Sequence, residues 1–153
     1  MSYETLHSRL ISLDEDTRLK GLWLIATAAD AGIPLRISQG HRTLEEQAAL
    51  YAQGRSDLDA VNVLRVKLSW PAIKNHENIK VTWAEAGSSW HNYHRAFDVV
   101  PMSDGTPDWL SPHWERIGAI GRALGMEWGG IWTKPDKPHF QNPQGIVQML
   151  GVP

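Results

Sequence analysis

The sequence predicts an α+β domain with a small, mainly antiparallel sheet and packed helices. Two observations lead there. Helical periodicity and helix caps dominate the first third of the chain. Short apolar, strand-like stretches, separated by loops, mark the second half. A third observation bounds the size: 153 residues suit one compact core, so residues 1–153 are expected to form a single domain.

The elements follow in order. Residues 14–31 read as a helix, with Asp14 as N-cap and Leu19, Leu22, Trp23, Ala26 and Ala29 at helical spacing. Gly32 and Pro34 stop it. Leu35 to Ser38 reads as a strand and Gly40 as a turn. Thr43, with Glu46 three residues on, has the pattern of a capping box and opens a second helix ending near Gly54. Residues 55–80 read as an excursion with some helix, since Leu64, Val66 and Leu68 alternate ahead of Pro71. Val81 to Trp83 and Ala96 to Val100 are strand candidates, the second the clearer. Ser111 and Pro112 form an N-cap and first-turn pair for a helix over 113–124, closed by Gly125. Glu127 to Trp128 and His139 to Gln141 are short strand candidates, and a last short helix is expected after Pro143.

Composition narrows the function. Hydrophobic residues make up 42% and charged residues 21%, as in ordinary globular proteins. Cysteine is absent, which excludes disulfides and thiolate ligands; a metal would have to be held by His, Asp or Glu. The net charge of -2 and the lack of a basic block argue against nucleic acid as a partner. No apolar run approaches the ~20 residues of a membrane span. The start, MSYETLHSRLISLDED, lacks the pattern of a signal peptide, so the chain is expected to stay in the cytoplasm unless something releases it. Eight Trp against two Phe and three Tyr is an unusual balance. Trp serves core packing, and it also lines carbohydrate and peptide clefts.

Two segments carry the chemistry: Ser88 to Asp98, containing His91, His94 and Asp98, and Asp136-Lys137-Pro138-His139-Phe140-Gln141. A catalytic zinc site needs three protein ligands and an open position for water. His91, Asp98 and His139 can be those ligands. A peptidase also needs a carboxylate that takes the water proton and passes it to the leaving amine. Asp136 can be that base, set beside the metal by a turn at Pro138, with Glu127 as the fallback. Spacing alone leaves ordinary hydrogen-bonding roles open for all of them.

The pattern Ser-x-His, six residues, Asp, and later Asp-x-x-His resembles the signature of the zinc D-alanyl-D-alanine carboxypeptidase and L-alanoyl-D-glutamate peptidase family, whose fold the Hedgehog signalling domain shares. Ser89, His91, Ala96 and Asp98 match the first motif, and Asp136, His139 and Phe140 the second. His94 stands where the family has Gly. Upstream, Ile37 to Thr43 with Glu45, Glu46, Gln47, Leu50, Tyr51, Gly54 and Arg55 resembles the family's substrate-side segment, and Trp128 to Trp132 matches the stretch before the second ligand motif. The resemblance runs from about residue 20 to 141.

It implies a Hedgehog/D-Ala-D-Ala peptidase-like fold, Zn2+ as cofactor and bacterial peptidoglycan as substrate. His91, Asp98 and His139 become the metal ligands and Asp136 the base. Arg42 falls on the family arginine that binds or polarises the scissile carbonyl. Gln47, Ser89 and Trp132 join Arg42 on the substrate side. Ser89 could instead orient a ligand or only make a turn bond, and Trp128 and Trp132 could wall the cleft or pack beneath it. His94 is expected not to ligate, and to need local accommodation if the family Gly has positive φ. His7, His41, His76 and His113 are read as surface or structural.

Within the family, the chain resembles single-domain phage endolysins, which cut between L-alanine and D-glutamate. This implies a monomer held in the host cytoplasm that reaches periplasmic peptidoglycan once the inner membrane is opened, in a Gram-negative host. The alternatives are a D,D-carboxypeptidase or dipeptidase on the same scaffold, and a zinc-containing binding domain without catalysis. Asp136 separates the last of these, because a binding module needs no base there.

Overall fold

The structure, a computed structural model, describes residues 8–143. His7 and the helix expected after Pro143 lie outside the described residues. The chain divides into two compact units, Met1–His41 with Tyr93–Pro153, and Arg42–Asn92.

In the first unit a short helical stretch at 8–11 leads into helix α1, Glu15–Asp30. Asp14 caps it as expected, accepting from the Thr17 N–H at 2.8 Å. Its buried face differs from the expected one. The core-facing stripe is Thr17, Gly21, Leu24 and Ala28, while Leu19 and Trp23 are 47% and 64% exposed. The reason lies in tertiary packing. Gly21 lets the helix close on Leu10 and Phe97, and the Thr17 hydroxyl accepts from the Asn142 side chain at 3.1 Å.

Strands β1 (Leu35–Gln39), β2 (Ala96–Ser103), β3 (Thr106–Pro107), β4 (Glu127–Trp128) and β5 (His139–Gln141) form one antiparallel sheet. The order is β1-β2-β5-β4, with β3 paired to β2. Each expected strand of this unit forms, and β2 runs three residues beyond Val100 before turning into β3, which the sequence did not suggest. An α+β fold with a small antiparallel sheet is thus as predicted. Helix α2, Trp114–Ala123, starts later than its expected cap. Ser111 Oγ instead accepts from the His113 N–H at 3.2 Å, closing a turn before the helix begins.

The core of this unit is built by Leu24, Ile37, Phe97, Val99, Ile117, Trp128 and Phe140, all essentially inaccessible to solvent. Helix α2 reaches it through glycines. A Cβ on Gly121 would overlap the Phe140 ring and one on Gly118 would overlap Trp128. Gly121→Ala should therefore destabilise the protein by about 1–3 kcal/mol, the usual cost of overpacking. A lowered denaturation midpoint at unchanged slope would report it.

The second unit carries helices α3 (Leu44–Ala52) and α4 (Leu58–Lys67) and a long irregular segment. The predicted capping box is present: Thr43 Oγ1 accepts from Glu46 N at 3.1 Å, and Glu46 Oε2 accepts from Thr43 N at 2.9 Å. The alternation around Leu64 and Val66 belongs to helix α4, which Asp57 caps. The strand expected at 81–83 does not form. That segment is tied down by side chains instead, with Arg55 donating to the Thr82 carbonyl at 3.0 Å and lying over the Tyr51 ring at 3.8 Å. Similarly, Asn62 bonds the Ile73 N–H and carbonyl, and Asn78 bonds the Gly54 N–H and Ser56 carbonyl. No helix of the described residues is long and apolar enough to cross a membrane.

Candidate metal centre

Sheet register sets the centre's inner half. Asp98 on β2 is paired directly with His139 on β5. Residues opposite one another in a ladder project to the same face. His139 Nδ1 accordingly lies 3.3 Å from Asp98 Oδ1. Phe140, one residue on, points the other way into the core and stacks near Phe97 and Trp128. Gln141 returns to the His139 face, with its Oε1 2.8 Å from His139 Nε2. The two imidazole nitrogens thus have different neighbours, Nδ1 facing Asp98 and Nε2 facing Gln141.

His91 sits on a 3-10 turn, Trp90–Tyr93, and is buried. Ser89 shapes that turn, its Oγ accepting from the His91 N–H at 3.3 Å. The His91 carbonyl accepts from the Arg42 N–H at 3.0 Å, and Asn92 donates to the Arg42 carbonyl at 2.9 Å. The backbone that carries Arg42 is therefore bound to the backbone that carries His91. The Arg42 guanidinium donates to Gln47 Oε1 at 2.7 Å. Gln47 is itself fully buried at 0% exposure and donates to the Ala84 carbonyl at 2.6 Å.

Ligand atoms of His91, Asp98 and His139 all lie within 4.8 Å of one another. Two imidazoles and one carboxylate form a donor set that suits zinc with an open position. His94 is not part of the group. It holds φ +62°, in the left-handed region that favours glycine, at the position where the family motif has Gly. A histidine is accommodated by a 2.6 Å contact of its Nδ1 with the Ser12 carbonyl and by stacking on His41 at 3.8 Å.

Burial alone would push His139 down, but Asp98 beside Nδ1, Gln141 and the charge of Asp136 outweigh it, and its pKa is raised. Asp136 is exposed on the loop before β5. Its N–H donates to the Gly129 carbonyl at 2.9 Å, and its carbonyl accepts from the His139 N–H at 3.2 Å. Trp128 packs beneath, its Nε1 donating to the Lys137 carbonyl at 2.7 Å. Gly129 permits this closeness, since a Cβ there would overlap the Asp136 carbonyl. Trp132 lies at the surface, its ring 5.1 Å from the His139 ring.

Residues 82–142 match a family profile described as D-alanyl-D-alanine carboxypeptidase. The peptidoglycan L-alanyl-D-glutamate endopeptidase CwlK of Bacillus subtilis (strain 168) is 32% identical over 129 residues, or 77% of this chain. This chain belongs to the D-alanyl-D-alanine carboxypeptidase family. It spans 66% of the length of CwlK. Among solved structures, the Serratia marcescens L-Ala D-Glu endopeptidase ChiX matches with a TM-score of 0.58 and 24% identity, over 91% of this chain and 86% of ChiX. The vancomycin resistance D,D-pentapeptidase VanY, in complex with Zn(II), matches with a TM-score of 0.57 and 15% identity, over 85% of this chain and 72% of VanY. These share the carboxypeptidase-family fold. Zinc is the cofactor of the family, and His91, Asp98 and His139 are placed for it.

Two polar residues beside the centre hold a place that the sequence did not suggest: Gln141, which had no expected role, and Glu127, expected only as a fallback base. Gln141 donates to Glu127 Oε2 at 2.7 Å. The two-residue spacing of His139 and Gln141 on a strand was the available signal for the first. Nothing in the sequence signalled the bond of Glu127 to Gln141, because it depends on the register of β4 against β5.

Proposed function

We propose that the chain is a zinc-dependent peptidoglycan endopeptidase that hydrolyses the bond between L-alanine and D-glutamate in the stem peptide. The observation that carries the reaction is the convergence of His91, Asp98 and His139. The choice of bond is supported by the relative CwlK, itself an L-alanyl-D-glutamate endopeptidase by name.

When bound, zinc supplies a Lewis acid that lowers the pKa of water and polarises a carbonyl. His91, Asp98 and His139 hold it. The Asp136 carboxylate takes a proton from the attacking water and returns it to the departing amine. The water oxygen joins the alanyl carbonyl carbon, the C–N bond breaks, and the D-glutamate amine leaves carrying the relayed proton. The second water proton is lost from the new alanine carboxyl group as it ionises and can be taken up by that amine. Arg42 shares the negative charge that develops on the carbonyl oxygen, with its guanidinium oriented by Gln47. Gln47, being buried, serves the substrate through Arg42. Ser89 acts on the site through the His91 turn, and Trp132 offers an exposed aromatic face beside His139 for the peptide.

If Arg42 acts in the transition state, Arg42→Lys should lower kcat although the charge is kept. Lysine has no planar fork to satisfy Gln47 and a carbonyl together. Steady-state kinetics on a soluble stem peptide would show this; unchanged kinetics would reduce Arg42 to a structural partner of α3.

The setting we propose is host lysis, with residues 1–153 acting as one monomeric catalytic domain of a phage endolysin on the wall of an opened cell. Its support is the resemblance to endolysins. The description of the family profile favours a second reading, removal of terminal D-alanine. Mass analysis of digested peptidoglycan separates the two. New amino termini on D-glutamate with intact glycan strands are expected, and release of D-alanine alone would make the enzyme a carboxypeptidase.

A further inference from the structure

The alternation of β5 and its register with both neighbours line up four polar side chains on one face of the sheet. Asp98 is opposite His139, and Glu127 is opposite Gln141. The contacts run in one chain: Glu127 Oε2 to Gln141 Nε2 at 2.7 Å, Gln141 Oε1 to His139 Nε2 at 2.8 Å, and His139 Nδ1 to Asp98 Oδ1 at 3.3 Å. Gln141 is only 7% exposed, so its amide is held by these neighbours.

We propose that Glu127 and Gln141 are positioning residues that hold His139 in the tautomer able to bind metal through Nδ1. The inference rests on the metal-centre reading above. Its logic is donor and acceptor polarity. An ionised carboxylate only accepts, so the Gln141 NH2 must face Glu127. The Gln141 carbonyl then faces His139, which must carry its proton on Nε2. That leaves the Nδ1 lone pair directed toward Asp98 and the metal position.

A competing arrangement explains why such a relay is needed. In the absence of metal, Asp98 favours a proton on His139 Nδ1, where it blocks ligation. A Gln141 amide turned by half a rotation would present NH2 to Nε2 and reinforce that state. Glu127 opposes the rotation from two groups away. Outer partners of metal-bound histidines commonly fix the tautomer in this way, and their loss costs about 10–100-fold in metal affinity.

The test uses the full chain and Zn2+ itself, in competition with a chromophoric chelator. Glu127→Ala and Gln141→Met should each weaken zinc binding by about 10–100-fold. Glu127→Gln should recover most of the affinity, because its carbonyl can still accept from the Gln141 amide. In the imidazole ¹⁵N–¹H spectrum of the zinc-loaded protein, His139 should show a protected Nε2–H that exchanges faster in Glu127→Ala. Glu127 is exposed, so that variant should fold even if Gln141→Met does not, and it decides the matter alone. Affinity within about two-fold of the parent with the Nε2–H signal intact in Glu127→Ala overturns the relay and leaves the metal centre standing. Failure of the parent to bind one zinc per chain overturns the metal centre itself.

Discussion

Replacing His139 by alanine should remove tight zinc binding and, with it, hydrolysis. His139 is one of three groups whose ligand atoms lie within 4.8 Å, and the chain has no cysteine that could substitute. The lost imbalance is large because a two-ligand remnant, His91 and Asp98, cannot complete a zinc site. The fall in affinity should exceed the ~100-fold that loss of an outer partner brings. His139 is buried between Trp132, Asp98 and Gln141, so alanine also leaves a gap in the sheet face. Zinc content after gel filtration, read beside a thermal melt, separates lost ligation from lost folding. Undiminished zinc in the folded variant would refute the ligand assignment.

Asp136→Asn should behave in the opposite way, keeping zinc and fold but losing turnover by ~10²-fold or more, the scale of general acid–base catalysis. Asp136 is exposed, and its backbone bonds to Gly129 and His139 survive the change. The asparagine side chain is nearly the same size but cannot accept a proton from water. Because acid–base help belongs to the transition state, kcat and kcat/KM should fall together. The same variant distinguishes an enzyme from a zinc-containing binding module. Near-normal turnover would require another base, and Glu127 is poorly suited because its carboxylate is engaged by Gln141.

The cluster of His91, Asp98 and His139 was legible in the sequence because its chemistry is local: rare residue types, in a cysteine-free chain, at spacings matching a family. The caps at Asp14 and Thr43 were legible for a similar reason, since a cap is completed within three residues. What failed depended on distant partners. The buried stripe of α1 is led by Thr17 and Gly21, chosen for contacts with Asn142 and Phe97, and a count of apolar residues passes over both. The segment 81–83 has strand-like residues, but Arg55 rather than a neighbouring strand takes its carbonyl. Gln47 could be placed near Arg42 from the family pattern, yet its complete burial follows only from Thr82 and Ala84 folding over it. The link from Glu127 to His139 needs the register of β4 against β5, which no single segment encodes.

The central claim is that the His91, Asp98 and His139 centre drives peptide hydrolysis in the wall. The most direct measurement is release of new amino groups from purified peptidoglycan by metal-stripped protein, before and after addition of one equivalent of Zn2+. The account predicts no release from the stripped protein, and restored release with D-glutamate as the new amino terminus once zinc is supplied. Undiminished release while a strong chelator is present, or broken glycan strands with the peptides intact, would contradict it.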